Sequence, residues 1–354
     1  MTTPGLPTRS AGLSAGRDPR LAAPKGPPDV SGSERVMRAD LHVHSYHSGY
    51  AGHLRFLRAR DCYSDPDAVY ATARARGMDL VTITDHDSID GCLEFLDRHP
   101  DAEDFFISEE IECRFPDTSL KVHIGAYGIT ERVHREIQPL RGNVFEAAAF
   151  LRAAGVFASF NHPFFFYDGQ LPLVDYLGAM LPLFPAVEVR NATMLAAHNQ
   201  LAAAIVDEWK RGCEAPVATL GGSDSHTIGG IAAAYTVAPA STREEFLASL
   251  RAGRASPGGR HGSTWRVAEQ IYGVVGRYWL SLLGIGRQDL TWRRRAIGLA
   301  FSAVSLPGEF TPLLVAALGK RREARRVASY RCEWEQGGAD SAWLAVARAA
   351  QPVP

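Results

Sequence analysis

The sequence predicts an α/β protein built on a mainly parallel sheet with covering helices, either an open doubly wound sheet or a closed barrel, followed by a helical C-terminal region. Three observations carry this expectation. Short β-branched or aromatic runs alternate with helical patterns after residue 36. A Gly- and Pro-rich stretch at 253–262 (GRASPGGRHG) interrupts the alternation as a boundary would. Beyond it the pattern is helical only, with aromatic residues at Trp265, Tyr272, Tyr278, Trp279 and Trp292.

In order along the chain, residues 1–35 are Pro, Gly, Ser and Ala with scattered Arg, the composition of a disordered lead-in without an export signal. Strands are expected at 40–44, 79–84, 104–107, 121–127, 156–160, 186–189, 217–221 and 234–237. The clearest helix starts at Asp65-Pro66, where Asp caps and Pro fits the first turn, and runs to Gly77. Further helices are expected at 144–154, 194–211 and 242–251. The chain therefore divides into a lead-in (1–35), an α/β unit (36–258) and a helical region (259–354).

Composition excludes several classes. With 354 residues and 46% apolar content the chain can bury a large core. A net charge of -1 gives no global attraction to nucleic acid or anionic membrane, but the charge is divided. From Arg260 onward there are 14 Lys+Arg against 7 Asp+Glu, +7, which leaves -8 for residues 1–259. Five widely spread cysteines form neither C-x-x-C pairs nor a disulfide framework, which points to free thiols in a reducing cytoplasm. The longest apolar run, 296–319, is cut by Pro307-Gly308-Glu309 into pieces too short to cross a bilayer, so no transmembrane segment is expected. The basic stretch Lys320–Arg326 reads as a solvated helix face, with an acidic lipid surface, nucleic acid or a partner as the alternatives.

Chemistry concentrates where strands end. His42 and His44 stand at i and i+2 on an expected strand and share a face, half of a metal site; a surface pair is the plainer reading. Thr84-Asp85-His86-Asp87 closes a strand at its C-terminal end, the edge where α/β enzymes build sites, with Asp87 read as a helix cap. Glu109-Glu110-Ile111-Glu112 follows another strand. His123 lies within a strand, His162 follows Phe160-Asn161, and Asp224 and His226 follow the strand 217–221. Each alone reads as a hydrogen-bonded core or turn residue; recurrence at one end of the sheet is what argues for a metal centre. His99, His134, His198 and His261 fall in helical or loop sequence and are read as bystanders.

The order H-x-H, T-D-H, a lone Glu, a strand His, H-P and G-S-D-S-H resembles the polymerase and histidinol phosphatase (PHP) family, over about residues 38–256. The resemblance implies a distorted (β/α)7 TIM-like barrel with the C-terminal helical region as an extension, and up to three divalent metals at its rim. Carried over residue by residue, His42, His44, Glu110 and Asp224 would hold one metal, Glu110 would bridge to a second held by His123 and His162, and His86 and His226 would hold a third. Two positions depart from the family pattern. Gly49 stands about where an Asp is usual, leaving the third metal short of a ligand that His47 or His53 would have to supply. The family's Gly before the bridging Glu is missing, so Glu109 competes with Glu110, which is preferred.

Imidazole and carboxylate ligands without thiolate suit Mn, Zn or Fe. The implied reaction is phosphate-ester hydrolysis by a metal-activated hydroxide, with a small phosphorylated substrate and monoesters first. Cleavage of a phosphodiester, cyclic phosphate or nucleotide is the alternative within the class, and a non-catalytic accessory module the alternative outside it. Arg190, with Asn191 beside it, is the expected phosphate-binding cation, the plainer reading being a pair with Glu188. Asp85 is expected to orient a ligand or water from behind. The helical region is expected to cover the mouth of the site.

Overall fold

The computed structural model describes residues 35–51, 56–286, 290–309 and 312–337. The expected lead-in lies outside these residues up to 34, as does His53. The fold is mixed α/β. One sheet has the order β2-β1-β8-β9, from β1 (Val36–Asp40), β2 (Leu80–Val81), β8 (Ala234–Pro239) and β9 (Ser256–Gly259). The other has the order β3-β4-β5-β6-β7, from β3 (Ser108–Arg114), β4 (Lys121–Tyr127), β5 (Phe157–Asn161), β6 (Ala186–Asn191) and β7 (Ala218–Gly222). Parallel bridges at Val43–Ser225, Val81–Phe105 and His86–Glu110 link the two.

The sheets are less parallel than the alternating pattern suggested. β4 runs antiparallel to both neighbours, and β8 runs antiparallel to β1 and β9. The reason is connection length: six residues join β3 to β4, too few for a parallel crossover, which takes a dozen or more. Three expected strands shift, the run at 79–84 keeping only Leu80–Val81 in the ladder. β1 stops at Asp40 because its buried carboxylate accepts the backbone N–H groups of His42 (3.2 Å), Ser223 (2.8 Å) and Ala232 (2.7 Å), diverting residues 41–44 out of the ladder. The run expected at 104–107 makes only a bridge, and the ladder begins at Ser108. The Gly-rich boundary contains β9, and its glycines are required by contact: a Cβ at Gly258 would meet the Tyr235 ring at 2.3 Å, and one at Gly259 the Ala233 carbonyl at 2.4 Å.

Helices cover the sheets. In α1 (Pro66–Ala75) the Asp65 side chain caps Asp67 N at 3.0 Å, as expected. α2 (Asp90–Arg98), α3 (Glu131–Ile137), α4 (Val144–Ala153), α5 (Leu173–Met180), α6 (Ala196–Lys210) and α7 (Arg243–Arg251) follow. The largest core joins Ile124, Phe160 and Val187 of the sheet to Leu151, Tyr176 and Trp209 of the helices. Each such side chain contributes about 1.5–3 kcal/mol by burial. The helical region comprises α8 (Thr264–Leu282), α9 (Trp292–Glu309) and α10 (Pro312–Gly337). Val327, Tyr330 and Trp334 of α10 join the same core, so this region packs on the sheet's helices.

Candidate metal centre

The residues expected at strand ends meet around Glu110. β3 alternates its side chains, so Glu110 and Glu112 face one side and Glu109 the other. Glu110 Oε2 lies 3.0 Å from His42 Nε2, 3.1 Å from His86 Nδ1 and 3.6 Å from His44 Nε2. Its Oε1 lies 3.1 Å from both His123 Nδ1 and His162 Nε2, and accepts from Asn161 Nδ2 at 3.1 Å. The antiparallel course of β4 is what delivers His123, because it turns that strand's N-terminal end to the edge where its neighbours finish. Asp224 Oδ1 closes the far side, 3.4 Å from His44 Nε2 and 3.5 Å from His42 Nε2. His162 and Asp224 are held at positive φ, +27° and +49°, a conformation that costs energy in non-glycine residues and that their surroundings must enforce.

The cluster has the character of a cation site. His42 Nε2, His44 Nε2, Glu110 Oε2 and both His123 ring nitrogens are buried without hydrogen-bond partners, although buried polar atoms are almost always paired. Four overlapping groups bring their donor atoms within 4.8 Å: His42, His44 and Glu110; His86, Glu110 and His123; His42, His162 and Glu188; His44, His86 and His226. Nitrogen and carboxylate oxygen without thiolate suit divalent cations. Electrostatics agree. Burial opposes charge on Glu110, yet the His42 and His123 rings hold its carboxyl well below the usual range. Burial also opposes a proton on His42, but Glu110, Asp224 and Glu188 outweigh it and raise its pKa. His44 falls to about 3, because burial and the neighbouring His226 and His86 outweigh the opposing effect of Asp224 and Glu110.

A second ring of contacts orients these groups. Glu188 lies with Oε1 3.0 Å from His42 Nδ1 and accepts His162 N with Oε2 at 3.0 Å. Asp224 Oδ2 accepts from Asn191 Nδ2 (3.1 Å) and Thr193 Oγ1 (3.0 Å). Asp85 accepts from Ser45 and, at 2.8 Å, from Ser48 Oγ, which lies 2.9 Å from His44 Nδ1.

Sequence reasoning missed Asp61. Its Oδ2 stands 3.1 Å from His226 Nε2 and 3.5 Å from His86 Nε2, and those rings lower its pKa against the effect of burial. The only signal was an acid just before the Asp65 cap. His47 instead meets Glu94 at 2.6 Å, away from the cluster. Glu109 turns to His134 Nδ1 at 2.8 Å. Asp87 does not cap α2: its carboxylate accepts Glu112 N at 2.9 Å and pairs with Arg141. Arg190 does not pair with Glu188; it donates to the Gly259 carbonyl at 3.0 Å and keeps a buried Nε without a partner. Beside His226 opens a cavity of about 330 Å³, lined on one side by Tyr63 and on the other by Glu269, Gly273 and Arg277 of α8.

Residues 197–255 match the family described as PHP-associated. An uncharacterized protein of Methanocaldococcus jannaschii is 38% identical over 58 residues, which is 16% of this chain; the match spans about a third (33%) of that relative's length. Among solved structures, a two-domain protein of Bacteroides vulgatus containing a predicted PHP-like metal-dependent phosphoesterase aligns at 16% identity and TM-score 0.44, covering 64% of this chain and 65% of that one. The lesion-specific endonuclease EndoQ of Pyrococcus furiosus aligns at 14% identity and TM-score 0.44, covering 81% and 91%. The PHP-associated segment contains the G-S-D-S-H motif that closes the ordered series resembling the PHP family, so the family match and the motif order agree over that segment.

Proposed function

We propose that this protein hydrolyses phosphate esters, monoesters first, at a centre of two or three divalent cations. The observation that carries the reading is Glu110 among five imidazoles whose inward nitrogens include buried, unpartnered ones. His42, His44, Glu110 and Asp224 are assigned to one cation, and Glu110, His123 and His162 to a second. His86 and His226 are assigned to a third together with Asp61, which takes the part that Gly49 cannot. Cations bound there, Mn, Zn or Fe, would acidify water and neutralise phosphoryl oxygens.

The chain's own residues do the rest. Glu188 fixes the His42 ring from behind, and Asp85 fixes His44 through Ser48. Arg190, with its unpartnered Nε, is assigned to a phosphate oxygen. The cavity beside His226 is assigned to the alcohol portion of the substrate, which makes α8 a wall of the pocket and gives the region 259–354 its role beside the catalytic unit 36–258.

The architecture behind this is a distorted seven-stranded barrel, β1 to β7, closed by the bridges at Val43–Ser225 and at Val81–Phe105 and His86–Glu110; those bridges support it. Five free cysteines, three of them buried, favour a reducing compartment such as the cytoplasm. The test is metal content by elemental analysis, with phosphate release from a panel of mono- and diesters, for the parent and for His42→Ala and Asp224→Ala. Bound metal with activity lost in both variants supports the reading, and preference for diesters would move the substrate class. Absence of metal and activity after Mn or Zn is added would leave a non-catalytic module.

A further inference from the structure

The apolar run 296–319 plays no part in the metal centre. α9 leaves Ile297, Phe301 and Val304 exposed and α10 leaves Leu314, Val315 and Leu318 exposed; Val304 is 84% and Leu314 56% accessible. Trp292, 74% exposed, stands at the start of α9 with the Arg293 guanidinium 5.5 Å from its ring centre. Basic residues bracket this surface in sequence: Arg293-Arg294-Arg295 before it and Lys320-Arg321-Arg322 after it, with Glu309 the one acid between residues 290 and 322. Lys320 is tied to Glu323 at 2.5 Å, but Arg321, Arg322, Arg325 and Arg326 have no carboxylate partner among the described residues. Single exposed apolar side chains are ordinary, whereas a run of them flanked in sequence by arginines marks an interface.

We infer that this face docks on an anionic lipid surface, the apolar side chains of α9 and the first turns of α10 entering one leaflet while the arginines meet lipid phosphates. No helix among the described residues is long and apolar enough to cross a membrane, so the contact is with one leaflet. An apolar face bordered by Arg and a tryptophan is the composition of interfacial helices, where cationic heads stay with phosphates and stems lie along the acyl boundary. A second copy fits less well, since two-fold pairing would set one basic rim against its equal. Nucleic acid would use the arginines but leave the aliphatic side chains in water.

The test is flotation of the full-length, metal-loaded protein with phosphatidylcholine vesicles, with and without phosphatidylglycerol. Binding is expected only to the anionic vesicles. Arg321→Gln, Arg322→Gln and Arg325→Gln should each weaken the partition about fivefold, which is what ~1 kcal/mol per basic residue amounts to. Val304→Asp with Leu314→Asp should abolish it, and because all these side chains are exposed, phosphate release and Tm should not change. Equal or absent binding to both vesicle types overturns the inference. So does a dimer, seen by sedimentation equilibrium, that Val304→Asp dissociates while vesicles are ignored. Arginine-dependent binding of an oligonucleotide without vesicle binding overturns it as well.

Discussion

Glu188 bears on the geometry of the proposed centre through the ring of His42. A histidine that binds a metal through Nε2 needs its Nδ1 held, and Glu188 sits 3.0 Å from His42 Nδ1. Glu188→Gln keeps the shape and removes the charge; it is expected to weaken metal affinity or activity about 10–100-fold, read by equilibrium dialysis and kcat/KM. An unchanged affinity would mean that packing alone orients His42. Asp61→Asn tests the third site: bound-metal content should fall while the ions at Glu110 remain, and unchanged content would remove Asp61 from it. These two acids also mark where sequence reading ended at this scale. The histidines were legible because each stands in or at the end of an apolar strand, so strand order gathers them. Asp61 lies in residues 45–65, which carry no periodicity, so nothing local connects it to His226, 165 residues away. The sequence prefers Glu110 to Glu109 but offers no geometric reason for it as long as both are placed beyond a strand. Inside β3, alternation sends them to opposite faces.

At the scale of elements, α10 does more than add apolar area. Neither α5 nor α6 has a side-chain cap of its own. Glu333 Oε1 accepts Leu173 N at the start of α5 at 2.6 Å, and Glu323 Oε1 accepts Leu195 N at the start of α6 at 2.7 Å. A carboxylate at a helix N-terminus satisfies an orphan donor and complements the helix dipole. Glu323→Gln and Glu333→Gln should each destabilise the fold by about 1–3 kcal/mol, with the larger loss at the more buried Glu323, read as a lower urea midpoint with unchanged m. No shift in either variant would show that water caps these helices equally well. Capping between elements ten or more turns apart in the chain leaves no local signature, whereas the Asp65-Pro66 start of α1 is written in adjacent residues. The antiparallel course of β4 was hidden for a related reason. A buried strand's composition is the same in either direction, and only the short link to β3 reveals which way it runs.

For the whole molecule, the proposed cations join β2, β3, β4, β5 and β7 to the segment after β1, so binding them is a contribution to folding. Chelation should lower Tm by roughly 5–10 °C, the shift for about 2.7 kcal/mol of ligand stabilisation, and added Mn or Zn should restore it; an unmoved Tm would argue against bound metal. The chelated protein also exposes a pH effect that belongs to the packing of α10. His198 on α6 is buried between Phe164 and α10, and its pKa falls to about 3 through burial first and then His162, Lys320 and Arg326. Glu323 lies 3.7 Å away, but its carboxylate is already engaged by Lys320 and Leu195 N. Between pH 6.5 and about 3 the unfolded chain therefore binds a proton that the folded one excludes. Stability is full above pH 6.5 and declines as the pH falls through that interval, by up to ~1.4 kcal/mol per unit from this one ring. His198→Gln removes the titration. Urea midpoints of the chelated parent and variant should converge as the medium is acidified, the parent losing stability more steeply, and parallel lines would place the acid sensitivity elsewhere than at the seam between α6 and α10.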